Sequence, residues 1–224
     1  MPNHFHSNSS GIHYARINQA MRTRLLILLF LDTLLFSGWP AMLHADPLEQ
    51  IPHASDSPAF LLVASQQMAD PRFRKTVLLV TRHGNTGPIG VIVNRSENIT
   101  LDKILPEYPA AKEFSLFNGG PLYPGQISYL VRGGDAVERT LTISSNIYLA
   151  YDMPILGELL GGKRRYKNLR VMHGMASWAP GQLEHEIKLG DWVAMPIDDA
   201  VIFDLPPADM WRELHRRTNH FQEI

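Results

Sequence analysis

Short runs rich in aliphatic and β-branched residues recur along this chain, and the turns between many of them are too short to hold a crossover helix. They cover 59–64, 76–81, 89–93, 114–117, 127–131, 137–143, 169–172 and 192–195. A parallel pair of strands needs a dozen or more connecting residues, whereas an antiparallel pair closes through a tight turn. The spacing therefore predicts a largely antiparallel sheet. The helical signals are fewer. Thr100 can cap a short helix through Leu105, which Pro106 stops, and Ser145 can cap one over 147–160, which Pro154 must start, kink or split. A third helix is expected over 182–189 after Pro180, closed by Gly190. A fourth follows Pro206-Pro207 to about Arg217, with Met210, Trp211 and Leu214 on its apolar face. Strands joined by turns, with a few separate helices, make an α+β fold.

Composition narrows the chemistry. In 224 residues, 45% apolar and 19% charged is the balance of a globular chain with a core of its own. With no cysteine, disulfides, thiolate metal sites and a cysteine nucleophile are excluded. The formal charge of −1 gives no global basic field for nucleic acid.

The N-terminus is of a different kind. Residues 1–20 are polar and rich in His, Asn and Ser. Arg22 and Arg24 then precede the apolar run 25–31, and Leu43-His44-Ala45 leads to Asp46-Pro47. A basic start, a short apolar stretch and a small residue at the end describe a secretory signal peptide over 1–45, which predicts a periplasmic or secreted protein. Left uncleaved, 25–45 is long enough to anchor in a membrane with some tilt, at a cost from Asp32 of about 2.5–3.5 kcal/mol. A start at Met21 would leave 1–20 outside the protein altogether. Three arginines and one aspartate lie in 1–45, so the remainder has 18 basic and 21 acidic residues, formally −3. Residues 46–58 carry three prolines and no apolar period, and read as a linker to a single domain over 59–224.

Three stretches stand out by their order and spacing. The first is Asp70-Pro71-Arg72-Phe73, followed by His83 and by Gly90-Val91-Ile92-Val93-Asn94-Arg95. The second is Asn118-Gly119-Gly120-Pro121. The third is Trp178-Ala179-Pro180-Gly181-Gln182-Leu183-Glu184-His185-Glu186. Together they resemble the signature of the YqgE/AlgH family of small bacterial proteins, from about Phe60 to about Arg216. Ser96 and Ser177 stand where the family pattern usually has Pro and Gly. The resemblance implies a strongly curved, barrel-like sheet with helices packed around it. It also implies the family's label of transcriptional regulator, with no established reaction. The family normally lacks a leader, so residues 1–45 depart from it, and a cytoplasmic location is the alternative that the resemblance implies.

Each stretch offers candidate residues and a plainer structural use. Adjacent Gly119 and Gly120 can converge backbone N–H groups on an anion, or simply make a tight turn. Arg72, His83, Asn94 and Arg95 can line a polar surface for a phosphate or carboxylate, or orient loops through Asp70 and Glu97. Gln182 and Glu184 sit in the first turn of a helix, where its dipole favours negative charge, and Glu184 can pair with Lys188. Trp178 reads as a core anchor. The ten histidines do not assemble a metal motif: consecutive Glu184, His185 and Glu186 diverge around a helix, and no helical His-Glu-x-x-His occurs. Gly174-Met175-Ala176-Ser177 is not a nucleophile elbow, and no dinucleotide or phosphate-loop glycine pattern is present. Lys163-Arg164-Arg165-Tyr166-Lys167 with Arg170 is the densest basic cluster and reads as a solvated loop.

The best reading is a non-catalytic regulatory or binding domain acting through protein partners or a small ligand, with no cofactor, no metal and no direct nucleic-acid contact. A cleaved leader would remove any role on DNA. Two other classes stay open. One is a hydrolase or transferase working through polar loops around His83, Arg95 and Glu184, with Arg72 and Asn94. The other is an envelope-associated structural protein.

Overall fold

A computed structural model of the protein describes residues 59–82, 87–134 and 140–221. The leader at 1–45, the linker at 46–58 and His83 lie outside the described residues.

The first apolar run forms β1 (Ala59–Ala64), buried along its whole length. It pairs antiparallel with β2 (Val77–Arg82), which pairs antiparallel with β3 (Pro88–Ile92). Both faces of this meander are covered. Leu61, Val63, Val77 and Leu79 enter one apolar cluster, while Phe60, Leu62, Leu78 and Val80 enter another. Two-sided burial explains why these strands read as continuous apolar runs and not as alternating patterns.

After β4 (Ser96–Thr100) come two short 3-10 turns, Leu101–Lys103 and Pro109–Glu113, then β5 (Ser115–Asn118) and the long β6 (Leu122–Arg132). Thr100 precedes the first turn without capping it: its hydroxyl donates to Asp102 Oδ1 instead. β7 (Thr140–Thr142) and β8 (Ile147–Ala150) complete an antiparallel arm on β6.

β9 (Asn168–Ser177) is the centre of the sheet. One edge pairs antiparallel with β6, and the other pairs first in parallel with β5 and then antiparallel with β3. β10 (Trp192–Met195) closes against β1, giving the order β10-β1-β2-β3-β9-β6-β8-β7, with β4 reached through β5. The result is a strongly curved, mainly antiparallel half-barrel with helices around it, the α+β architecture that the resemblance implies.

The helices are α1 (Met153–Leu160), α2 (Gln182–Lys188), α3 (Asp199–Asp204) and α4 (Pro207–Phe221). The expected helix over 147–160 is corrected at its start: 147–150 is strand, and the helix begins after Asp152 with Pro154 in its first turn, the Asp152 carboxylate accepting from the Ile155 N–H at 3.2 Å. Ile147 and Leu149 both enter the apolar core, a strand's alternation, and Pro154 is tolerated only in a first helical turn. The short α3 was not expected. Asp198 caps it by accepting from the N–H groups of Ala200 and Val201. α4 buries Met210 and Leu214, and its Trp211 indole donates to the Ala64 carbonyl at 2.7 Å, tying the last helix to the first strand. Among the described residues no helix is long and apolar enough to cross a membrane.

Candidate functional site

Where β9 ends, the chain turns through Ala179-Pro180-Gly181 into α2, and this corner faces the loop after β1 and the start of β10. Between them lies a cavity of about 350 Å³, bordered by Met68–Asp70, Arg72, Phe73, Pro121, Leu122, Ala176–Trp178, Gln182, Glu186, Asp191 and Trp192. Residues from all three stretches singled out in the sequence therefore meet at one concave place.

The sequence builds this corner locally. Gly181, at φ 80°, holds a left-handed conformation that turns the chain into the helix. Gln182 Oε1 accepts from the Ala179 N–H at 3.0 Å, and Leu183 and Ile187 bury the inner face of α2. One turn after Gln182, Glu186 points back along the helix. Its Oε2 accepts from the indole N–H groups of both Trp178 and Trp192, each at 2.9 Å, and its Oε1 accepts from the Gln182 amide at 2.9 Å. The two indoles are buried and meet edge to face, with centroids 6.2 Å apart; Phe73 meets Trp192 the same way at 5.5 Å. The aromatic wall and the carboxylate thus fix one another.

At the rim, Asp70 and Arg72 form a charge pair. Arg72 Nη2 donates to Asp70 Oδ2 at 2.6 Å and Nε donates to both carboxylate oxygens at 3.0 Å. The hydrogen bonds from Arg72 hold the Asp70 carboxyl below its ordinary range, and Asp70 raises Arg72 in turn. The Arg72 guanidinium also lies over the Phe73 ring, 5.9 Å from its centroid.

A family model described as AlgH-like matches residues 61–220. This chain belongs to the AlgH-like family. A UPF0301 protein of Methylococcus capsulatus is 32% identical over 157 residues, which are 67% of this chain and 83% of the relative. A UPF0301 protein of Cronobacter sakazakii is 33% identical over 162 residues, 68% of this chain and 86% of the relative. Among solved structures, the solution structure of AlgH from Pseudomonas aeruginosa matches with a TM-score of 0.62 at 26% identity, covering 72% of this chain and 88% of that one. A crystal structure of a protein from Corynebacterium diphtheriae matches with a TM-score of 0.63 at 26% identity, covering 77% of this chain and 93% of that one.

In this AlgH-like chain the candidate residues divide. Arg72 and Gln182 border the cavity. Asn94 and Arg95 hold a neighbouring loop: Asn94 accepts from the Val77 N–H at 2.8 Å and donates to the Lys75 carbonyl at 3.0 Å, while Arg95 donates to the Arg72 carbonyl at 2.6 Å. Gly119 and Gly120 pack against β9. A Cβ on Gly119 would lie 2.5 Å from the Gly174 carbonyl oxygen, and one on Gly120, at φ 150°, would lie 2.3 Å from the Met175 carbonyl carbon. Glu184 does not border the cavity, and its Oε2 is buried without a hydrogen-bond partner; no ion pair with Lys188 forms. Sequence reasoning nominated Glu184 and missed Glu186, Trp192 and Asp191. The available signal was the helical i, i+4 spacing of Gln182 and Glu186, which puts an amide and a carboxylate on one face.

The basic cluster also divides. Arg170 is not part of the loop: it is buried on β9, its guanidinium 4.7 Å from the Phe117 centroid and 5.6 Å from that of Phe203. It donates to the Val93 carbonyl at 2.6 Å, and burial lowers its pKa to about 10. Among the described residues no group of three or more His, Asp or Glu side chains is placed to hold a metal ion.

Proposed function

We propose that this AlgH-like chain is a non-catalytic binding protein, and that the cavity beside Trp178 and Glu186 takes a small ligand or a side chain of a protein partner. The observation that carries the reading is the convergence of the three sequence stretches on one cavity of about 350 Å³, a volume in the range of small-molecule sites. The polar groups there support binding over proton transfer. Asp70 is engaged by Arg72, and Glu186 by two indoles and an amide, so both carboxylates are held in place by donors.

The test is a fragment screen on the full chain, following the indole N–H resonances of Trp178 and Trp192. Fragments that bind should move both signals in the native protein and neither in Ser177→Trp, which fills the cavity from an exposed position at its border. A screen spanning positive, neutral and negative fragments with no such response would sink the reading. We further propose that the leader is removed and that this binding takes place outside the cytoplasm. N-terminal mass spectrometry on the periplasmic fraction should then find Asp46 first, and a chain beginning at Met1 or Met21 in the cytoplasm would refute it.

A further inference from the structure

We infer that the cavity selects an organic cation, a primary ammonium or guanidinium group, over neutral and anionic ligands. The inference rests on the binding role proposed above and names its ligand class. Three carboxylates border the cavity, Asp70, Glu186 and Asp191, against one bordering guanidinium, Arg72, with Arg74 held behind the rim on the Met68 and Ala69 carbonyls. Arg72 is spent on Asp70 and over Phe73. Neither Glu186 nor Asp191 forms an ion pair with a described residue.

The placement of these two acids matters as much as their charge. Glu186 is fixed by three donors, so its carboxylate is already oriented before a ligand arrives. Hydrogen bonds from neutral indoles and an amide hold the charge without neutralising it. Asp191 is fixed through its backbone: its N–H donates to the Glu186 carbonyl at 3.1 Å and its carbonyl accepts from Ser65 at 2.9 Å. Asp191 thus borders the cavity next to Trp192 in sequence. Phe73, Trp178 and Trp192 also border the cavity, and aromatic π surfaces attract cations. An anion would meet two uncompensated carboxylates. A neutral apolar ligand would strip water from them and return nothing. An ammonium or guanidinium group answers both, and Arg72 over Phe73 and against Asp70 already shows that pairing at the rim.

The full chain should be titrated with butylguanidinium, butylammonium, the neutral isostere butylurea and butyrate, reading the indole N–H signals of Trp178 and Trp192. The two cations should bind and weaken with added salt, and butylurea and butyrate should not bind. Asp191→Asn and Glu186→Gln should each weaken the cations about tenfold, the loss expected for one charge-assisted contact, with chemical denaturation confirming that each variant stays folded. The blocked arginine tripeptide acetyl-Gly-Arg-Gly-amide identifies the source. Tighter binding than butylguanidinium points to a partner's side chain, and weaker binding to a free amine; either supports the cation. Equal binding of butylurea, or binding of butyrate, overturns the cation inference while leaving the cavity a binding site. Silence from all four overturns both.

Discussion

Glu186 shows how much one side chain can hold. It is the shared acceptor of two buried indoles and of Gln182, so its loss strands two indole donors in a low-polarity wall. An unsatisfied buried donor costs about 1–3 kcal/mol. With two donors stranded, Glu186→Ala should lower the unfolding free energy by about 2–6 kcal/mol, while Glu186→Gln, which keeps an acceptor, should lower it less. Urea unfolding followed by tryptophan fluorescence separates the two. Gly119 is the opposite case, a residue whose value is an absence. Its N–H donates to the His173 carbonyl at 2.7 Å, and any side chain would enter the backbone of β9. Gly119→Val should fail to give a folded chain, visible as lost amide dispersion. A folded Gly119→Val protein would reopen the anion-loop reading of that turn.

The elements are joined by charge as well as by packing. On α4, Glu213 accepts from Arg216 and Arg217, and Arg217 also donates to Asp198, the cap of α3. The hydrogen bonds from Arg216 and then Arg217 lower the Glu213 carboxyl to about 2. A carboxyl depressed by folding adds stability that is fully present above its ordinary value of 4.5 and is lost as pH falls through about 2. A carbon-detected NMR titration should place its midpoint near 2 in the native protein and nearer the ordinary value in Arg216→Ala. The elements were unevenly legible beforehand. β1 and β10 follow from continuous apolar runs bounded by turns, and α4 from its apolar stripe after Pro206-Pro207. The run 147–160 misled, since a strand and a helix share it and only the cap at Asp152 separates them. α3 is too short for a periodic signal. At the candidate site, Trp178 and the Pro-Gly turn were visible. The partnership of Trp178, Glu186 and Trp192 was not, because β10 reaches the site only by pairing with β1 on the far side of the sheet.

The whole described region depends on β9. The strand joins the β1–β2–β3 meander to the β6–β8–β7 arm, and its side chains enter all three apolar clusters: Met172 and Met175 one, Ala176 another, Val171 the third. Such a strand cannot open locally without exposing the cores on both sides. Native-state hydrogen exchange should therefore find the β9 amides exchanging only through global unfolding, while the short end strand β7 exchanges through smaller openings. Protection of β7 equal to that of β9 would contradict this. A ligand seated where β9 ends should accordingly raise the global unfolding free energy, by the mass-action term and not by local stiffening alone.

The same arrangement bears on how the chain is made. During synthesis β1, β2 and β3 can pair as soon as they emerge, yet β3 and β6 each wait for β9, at residues 168–177, and β1 waits for β10, at 192–195. For most of translation the growing protein carries open strand edges with apolar faces, the state in which chains stick to one another. Only when about four-fifths of the polypeptide has been delivered do the open edges of β3 and β6 find β9. Folding is consequently an event of the finished chain, and the interval before it is the period in which this protein most needs protection from its neighbours.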